Sequence, residues 1–169
     1  FVTGAIVQYA RNALVALALR GGFDDLVMID ADQDWQPEWV LRLLSYPVDC
    51  VGAPVRLKCE GERYNVCAPS PDMEEGPEID HIGGRLLAVE TLGTGFIRYS
   101  RRALEALWDF SEPYRDEGGS EARWIFDIRP VRGTLVGEDS MVSYKLAERA
   151  GIKTWIDPTM TCGHIGRKH

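Results

Sequence analysis

The chain has 169 residues, which is the size of one typical domain. Asp and Glu (26) outnumber Lys and Arg (19), and the net charge of −7 argues against a broad nucleic-acid-binding surface, which needs excess positive charge. Hydrophobic residues make up 45% and charged residues 27%, so the composition excludes a disordered chain. No apolar run approaches the roughly 18 residues of a transmembrane segment.

The first predicted helix is indicated by small and apolar residues at helical spacing, namely Ala10, Ala13, Leu14, Leu17 and Ala18. Gly21 and Gly22 end this helix. Residues 26–29 form a short unbroken apolar run that ends in acids, which predicts a buried central strand. Pro37 then opens a second helix, and residues 48–55 read as the next strand.

The second half of the chain is more mixed. Residues 58–84 predict a long loop or lid, because they combine prolines, glycines and acids with little periodicity. Strands are expected at 86–91 and 95–99, a helix at 101–108, a helix from Glu138 to Gly151, and a last strand at 153–156. This order predicts a single α/β domain over residues 1–169, with a mostly parallel central sheet flanked by helices.

The four cysteines show no metal-binding or redox spacing. Cys50, Cys59, Cys67 and Cys162 contain no CxxC pair. The pattern favours reduced thiols and a cytoplasmic protein, and a disulfide between Cys59 and Cys67 stays open as an alternative.

Two carboxylates, Asp30 and Asp32, follow the predicted central strand. Ligands of open α/β sheets bind at such strand ends, and paired hard oxygen ligands suit Mg²⁺ or Mn²⁺. Asp34 is a possible third ligand. A bare DxD is more often a solvated acidic turn, so the pair needs support from elsewhere in the chain. A P-loop enzyme is excluded, since no GxxxxGK[ST] segment exists.

Two further segments carry candidate chemistry. Glu138 and Asp139 stand at the start of a predicted helix, where a carboxylate can act as a general base or simply cap the helix. His164 lies between glycines in the sequence CGHIG, on adaptable backbone that allows it to act as a metal ligand. The alternative for His164 is an ordinary surface histidine.

In this order, the DxD strand, the Gly-rich segment 92–96, the ED helix and the CGHIG tail resemble the GT-A glycosyltransferases, in particular small enzymes similar to family 2. The resemblance spans residues 11–164 and implies a Rossmann-like sheet. A GT-A domain begins with a strand-helix-strand unit that binds the nucleoside, and here that unit is expected to be missing.

The resemblance also implies roles for individual residues. Asp32, with Asp30 and His164, would hold Mn²⁺ or Mg²⁺ at the donor diphosphate. Asp30 would also contact the donor ribose, and Arg11 and Asn12 match an RN pair near the nucleotide. Asp139 would be the base that deprotonates the acceptor hydroxyl, with Glu138 beside it.

The function implied is metal-dependent transfer of a sugar from a UDP- or GDP-sugar to the hydroxyl of an unidentified acceptor. Inversion at the anomeric carbon is expected, and retention stays open as an alternative because the motifs of the two classes overlap. Two alternatives stay open. One is a catalytically idle domain that only binds a nucleotide or a partner. The other is a nucleotidyltransferase, which would need a Gly-rich basic loop that the sequence does not show.

Overall fold

The computed structural model describes residues 6–67, 74–79, 84–116, 118–131 and 133–165. The helices in these ranges are α1 (Val7–Arg20), α2 (Pro37–Ser45), α3 (Arg101–Asp109) and α4 (Glu138–Lys145), and a π-helical turn (Leu146–Ala150) continues α4. The strands are β1 (Asp25–Ile29), β2 (Gln33–Asp34), β3 (Cys50–Gly52), β4 (Val66–Cys67), β5 (Glu75–Ile79), β6 (Gly84–Val89), β7 (Thr91–Leu92), β8 (Phe96–Ser100), β9 (Pro113–Arg115), β10 (Glu121–Arg123), β11 (Arg129–Val131), β12 (Thr134–Val136), β13 (Thr154–Ile156) and β14 (Gly163–His164).

Six of these strands form one mixed sheet in the order β1-β8-β3-β13-β6-β5. Only β3 and β13 pair in parallel, whereas every other neighbouring pair in this sheet is antiparallel. The remaining described strands pair two by two in small antiparallel sheets. The prediction of a mostly parallel, Rossmann-like GT-A sheet is therefore wrong.

The position of β8 explains the difference. β1 and β3 run in the same direction and are joined by α2, as a strand-helix-strand unit requires. However, β8 inserts between them and pairs with both in the antiparallel sense. As a result β1 is an edge strand within the described part of the chain, rather than the central strand that its apolar sequence predicts.

The predicted helices are confirmed, and their ends follow from local chemistry. Ser100 caps α3, because its hydroxyl accepts a hydrogen bond from Ala103 N at 3.2 Å. Gly151 ends the helix that Glu138 begins, and it adopts a left-handed φ of 63° that favours glycine. The predicted long loop at 58–84 contains the short strands β4 and β5.

The core lies on both faces of the large sheet. Alternate residues of β1 point to opposite faces, so Met28 packs with α1, α3 and α4, while Val27 and Ile29 pack with α2. Fully buried side chains such as Leu104 and Leu43 each contribute roughly 1.5–3 kcal/mol by leaving water. This packing fixes α1 and α4 on the same face of the sheet.

All four cysteines are free, with Cys50 and Cys162 buried and Cys59 and Cys67 exposed, so no Cys59–Cys67 disulfide is present. In the part of the chain that the structure describes, no helix has the length and apolar character needed to cross a membrane.

Candidate functional site

Arg11 joins the first two predicted motifs. Its Nη2 lies 3.0 Å from Asp30 Oδ1, and its Nη1 lies 3.6 Å from Glu138 Oε1. The Arg11 side chain is only 10% exposed, and its guanidinium also packs over the Phe126 ring at 5.9 Å from the centroid. One fixed guanidinium thus brings the DxD segment and the start of α4 together.

Asp30 is held from a second side by the backbone. Asp30 N donates to Gly95 O at 2.9 Å, which extends the pairing of β1 with β8 past the end of the strand. A Cβ on Gly95 would lie 3.4 Å from Asp30 Oδ2 and 3.3 Å from the Gln33 side-chain nitrogen. A glycine at position 95 therefore allows the chain to approach the carboxylate closely.

Asp32 has a different cation. Lys58 Nζ donates to Asp32 Oδ2 at 2.6 Å, and both side chains are nearly half exposed, at 42% for Lys58 and 47% for Asp32. The hydrogen bond from Lys58 is the main cause that lowers the pKa of Asp32 below its usual value, and the charges of Lys58 and His164 add to it. Asp32 therefore carries its negative charge at neutral pH.

His164 is brought to the DxD segment by backbone pairing. β14 pairs with β2 so that His164 lies opposite Gln33, and Ile165 N donates to Asp32 O at 2.8 Å. His164 Nδ1 lies 2.5 Å from the carbonyl oxygen of Arg56, to which it donates when protonated. A histidine held in this way keeps the lone pair of Nε2 free, as histidines that bind metals do.

The segment between β3 and β4 forms a hairpin, which we call the Lys58 hairpin (residues 55–65). Asn65 closes its base through two bonds with Val55, and Arg56 forms an antiparallel bridge with Tyr64. Leu57 N donates to Arg63 O at 2.8 Å, so the pairing continues towards the tip. The hairpin is what places Lys58 against Asp32.

Asp139 and Glu138 occupy the first turn of α4, as predicted. Asp139 Oδ1 accepts a hydrogen bond from Ser140 N at 2.7 Å, which is a common role for an acid at a helix N-terminus. Burial, above all, raises the pKa of nearby Tyr99 well above its usual value, and the charge of Asp139 contributes. Both acids are partly exposed, so each has a face that a ligand can contact.

Asn12 has a structural role that the sequence did not indicate. It is fully buried, and its side-chain oxygen accepts hydrogen bonds from Ile125 N and Phe126 N, both at 3.0 Å. This burial leaves no Asn12 surface for the nucleotide contact that the resemblance implies. Instead, Asn12 holds the loop that carries Phe126 against Arg11.

Lys145 holds the same loop from α4. Its ammonium donates to Ile125 O at 2.5 Å and to Trp124 O at 3.2 Å, and it lies 2.9 Å from the buried carboxylate of Asp127. Burial lowers the pKa of Lys145, while the hydrogen bond to Asp127 opposes that shift. Asn12 and Lys145 thus fix loop 124–127 between α1 and α4.

The donor set fits a divalent ion only in part. Among the described residues no group of three or more His, Cys, Asp or Glu side chains is arranged to hold a metal. Asp32 and His164 lie together, whereas Asp30 is engaged by Arg11. Mg²⁺ is commonly held by one or two carboxylates, with phosphate oxygens and water completing its shell. Asp32 fits that kind of site, with His164 as a neighbouring nitrogen donor, and the described residues do not form a closed metal cage.

A cavity of about 380 Å³ adjoins Arg11 and Asp30. Its other walls are residues of α1 and the edge of β1, including Ala10, Leu14 and Ile29. This volume is within the range typical of small-molecule sites. A second cavity of about 600 Å³ lies between α4 and β6, and none of the predicted site residues lines it.

The structure therefore groups Arg11 with Asp30 and Glu138, and Asp32 with His164, while Asp139 lies beside Glu138. Asp34 is exposed on β2 opposite Gly163. Sequence reasoning missed Lys58, whose contact depends on the fold of a hairpin and has no local signal. It also missed Lys145, because a lysine on a helix is usually solvated.

Comparison with protein-family models gives no match for this chain, and a search of curated proteins also gives none. Among solved structures, the chain is similar to the "Crystal Structure of A197 from STIV", with a TM-score of 0.57 and 17% sequence identity. The match covers 99% of this chain and 72% of that chain. At this level of identity the similarity concerns the fold alone.

Proposed function

We propose that this chain is a metal-dependent glycosyltransferase that moves a sugar from a nucleoside diphosphate sugar to an acceptor hydroxyl. The observation that carries the proposal is the Arg11 bridge, with Asp30 at 3.0 Å and Glu138 at 3.6 Å. These residues come from three separate elements, α1, the end of β1 and the start of α4. Asp30 and Glu138 belong to the ordered segments that resemble the family 2 glycosyltransferases, and Arg11 matches the RN pair that the same resemblance implies.

Charge supports a ligand that includes a divalent cation. Among the described residues, the carboxylates of Asp30, Asp32, Glu138 and Asp139 lie near two permanent cations, Arg11 and Lys58, and near His164, which adds positive charge only when protonated. A free diphosphate would be repelled by this excess of negative charge. Mn²⁺ or Mg²⁺ on Asp32 and His164 would supply the missing positive charge and would stabilise the departing diphosphate.

The cavity beside Arg11 and Asp30 supports binding of the nucleotide at this end of β1. In the proposal, Asp30 accepts hydrogen bonds from the donor ribose, and Arg11 holds Asp30 in place for that contact. The donor is a UDP- or GDP-sugar. A cytoplasmic location belongs to the same proposal, since all four thiols are free.

Asp139 is the proposed base. It accepts the proton of the acceptor hydroxyl as the oxygen attacks the anomeric carbon, and the bond to the diphosphate breaks on the opposite face of the sugar. Its second carboxylate oxygen is available for this, because only Oδ1 bonds to Ser140 N. Attack from one face with departure from the other gives inversion.

Two substitutions test the proposal. Asp32→Asn is expected to abolish the Mn²⁺-dependent binding of UDP or GDP, measured by isothermal titration calorimetry. Asp139→Asn is expected to leave this binding intact and to lower sugar transfer, or slow donor hydrolysis, by about 10²–10⁴-fold. Asp109→Asn, at the exposed end of α3, is the control for both. Normal turnover in Asp139→Asn contradicts the assignment of the base.

A domain that binds nucleotide without transferring sugar is the second candidate. The hydrogen bond from Ser140 N to Asp139 favours it, because an acid that only pairs with an N–H group in the first turn of a helix needs no catalytic role. The same pair of variants separates the two functions. In a binding domain, Asp32→Asn still abolishes metal-dependent binding, but the unsubstituted protein turns over no UDP- or GDP-sugar.

A further inference from the structure

The Lys58 hairpin is attached to the site through the backbone of its base, while its tip is exposed to solvent. Arg56 N donates to Cys162 O at 2.9 Å, and Arg56 O faces His164 Nδ1 at 2.5 Å, so the base of the hairpin is fixed to the strand that carries His164. The tip, residues 58–62, is exposed and includes Gly61 at a left-handed φ of 85°. Lys58 therefore follows directly on the fixed base of the hairpin, and its side chain, which is 42% exposed, reaches Asp32.

The contact between Lys58 and Asp32 is one that a competing ion can replace. Both side chains are nearly half exposed, and exposed ion pairs are weak because water screens the charges. Lysine is a compact point charge on a flexible four-carbon stem, which can turn about its own Cα without a change in the backbone. Arg11 differs in each respect, since it is buried, packed over Phe126 and bonded to two carboxylates.

The position of Lys58 also suits a second partner. It reaches the carboxylate that, with His164, is offered to a divalent ion in the proposed function. Phosphate oxygens bound to such an ion lie next to its protein ligands. They are therefore within reach of Lys58, which already contacts the proposed ligand Asp32. Lysine ammonium groups commonly bind phosphate as point charges.

We propose that Lys58 is an exchangeable counter-ion that neutralises Asp32 in the empty protein and turns to the diphosphate of the nucleotide when a divalent cation takes its place. This inference rests on the proposed function. In this proposal the Lys58 hairpin keeps Asp32 paired until the divalent cation binds, and Lys58 then contacts the nucleotide. It also assigns Lys58 as a ligand-binding residue that the motifs do not include.

The test measures two binding reactions with opposite expected changes. In Lys58→Met, MnCl₂ alone is expected to bind about two- to fivefold more tightly, because the competing ammonium is gone. UDP at saturating Mn²⁺ is expected to bind about tenfold more weakly, because one charge-assisted bond to phosphate is lost. Lys58→Arg keeps a cation and should stay closer to the unsubstituted protein in both titrations.

Lys153→Met is the matched control, since Lys153 forms a somewhat more exposed pair with Glu74 at the same 2.6 Å distance, away from the predicted site residues. It should change neither titration. If the unsubstituted protein binds Mn²⁺ and UDP but Lys58→Met binds both equally well, the role of Lys58 is wrong while the proposed function stands. If the unsubstituted protein binds neither probe, both the proposed function and this inference are overturned.

Discussion

The two acids of the DxD segment, Asp30 and Asp32, are two residues apart in sequence but have different surroundings. Asp30 is paired with Arg11, a buried cation on α1 that also contacts Glu138. Asp32 is paired with Lys58, an exposed cation on a hairpin tip. We call the first group, Arg11 with Asp30 and Glu138, the fixed pair of contacts, and the Lys58–Asp32 contact the exchangeable one.

The difference shows how one short motif can serve two tasks. The fixed contacts are supported by packing and by the loop that carries Phe126. Asn12 accepts two buried hydrogen bonds from this loop, and Lys145 donates to it. They can therefore hold a carboxylate in one orientation. Both side chains of the exchangeable contact are nearly half exposed to solvent, so Asp32 is available to an incoming ion.

Asn12→Ala is expected to give the largest loss of stability. The substitution removes the acceptor of two buried N–H groups, and unsatisfied buried donors are costly, so we expect a loss of about 3 kcal/mol in the free energy of unfolding. Urea denaturation measures it. Asn65→Ala is the matched variant in the Lys58 hairpin, where the side chain accepts only one such bond, from Val55 N.

We expect Asn65→Ala to cost about 1 kcal/mol. If Asn65→Ala destabilises the protein as much as Asn12→Ala does, the two regions are equally rigid and the comparison fails.

Arg11→Met should give the next largest effect, a loss of about 2 kcal/mol in the free energy of unfolding. Removal of this buried cation leaves two carboxylates unpaired, and the partial exposure of Asp30, at 40%, reduces the cost. The same variant should lose metal-dependent UDP binding, because Asp30 is no longer held. Arg102→Met is the control, since its pair with Asp49 lies at the surface of α3.

A change of less than about 0.5 kcal/mol in Arg11→Met, similar to that of the control, would contradict the description of these contacts as fixed.

Lys58→Met should change the free energy of unfolding by less than about 0.5 kcal/mol, because exposed ion pairs contribute little. Chemical denaturation at neutral pH measures this quantity. A loss comparable to that of Arg11→Met would mean that the Lys58–Asp32 contact is structural, and Lys58 would then not be free to exchange.

The smallest expected effect is the pH dependence of the difference in unfolding free energy between the unsubstituted protein and Lys58→Met. Lys58 lowers the pKa of Asp32 below its usual value of 3.8, so the pair contributes stability above pH 3.8 and loses it as the pH falls through the lowered pKa. The small difference between the unsubstituted protein and Lys58→Met should therefore vanish under acid conditions. A difference that grows as the pH falls contradicts this assignment.

The helices could be predicted from the sequence because their signals are local. The spacing of small residues gives α1, Pro37 gives the start of α2, and Gly151 gives the end of the helix that begins at Glu138. The sheet could not be predicted in the same way. The apolar residues of β8 identify a strand, but nothing in them shows that it inserts between β1 and β3 in the opposite direction.

In the candidate site, too, the residues with local sequence signals could be predicted, whereas the contacts that depend on long-range pairing could not. Asp30 and Glu138 stand at predictable element ends and Arg11 lies within the predicted first helix, and the structure brings the three together. The contact of Lys58 with Asp32 depends on long-range hairpin pairing, which leaves no pattern in the sequence around either residue. The resemblance implies a nucleotide contact for Asn12, and the sequence does not reveal that the loop at Ile125 buries its side chain.

The central claim is that the fixed and exchangeable contacts form one site for a metal-bound nucleoside diphosphate. Its most direct test is calorimetric titration of the unsubstituted protein with UDP and with GDP, each with Mn²⁺ and with excess chelator. The account predicts binding of at least one of the two nucleotides with Mn²⁺ and a loss of that binding in chelator. Equal binding in both conditions, or no binding of either nucleotide in either condition, would contradict it.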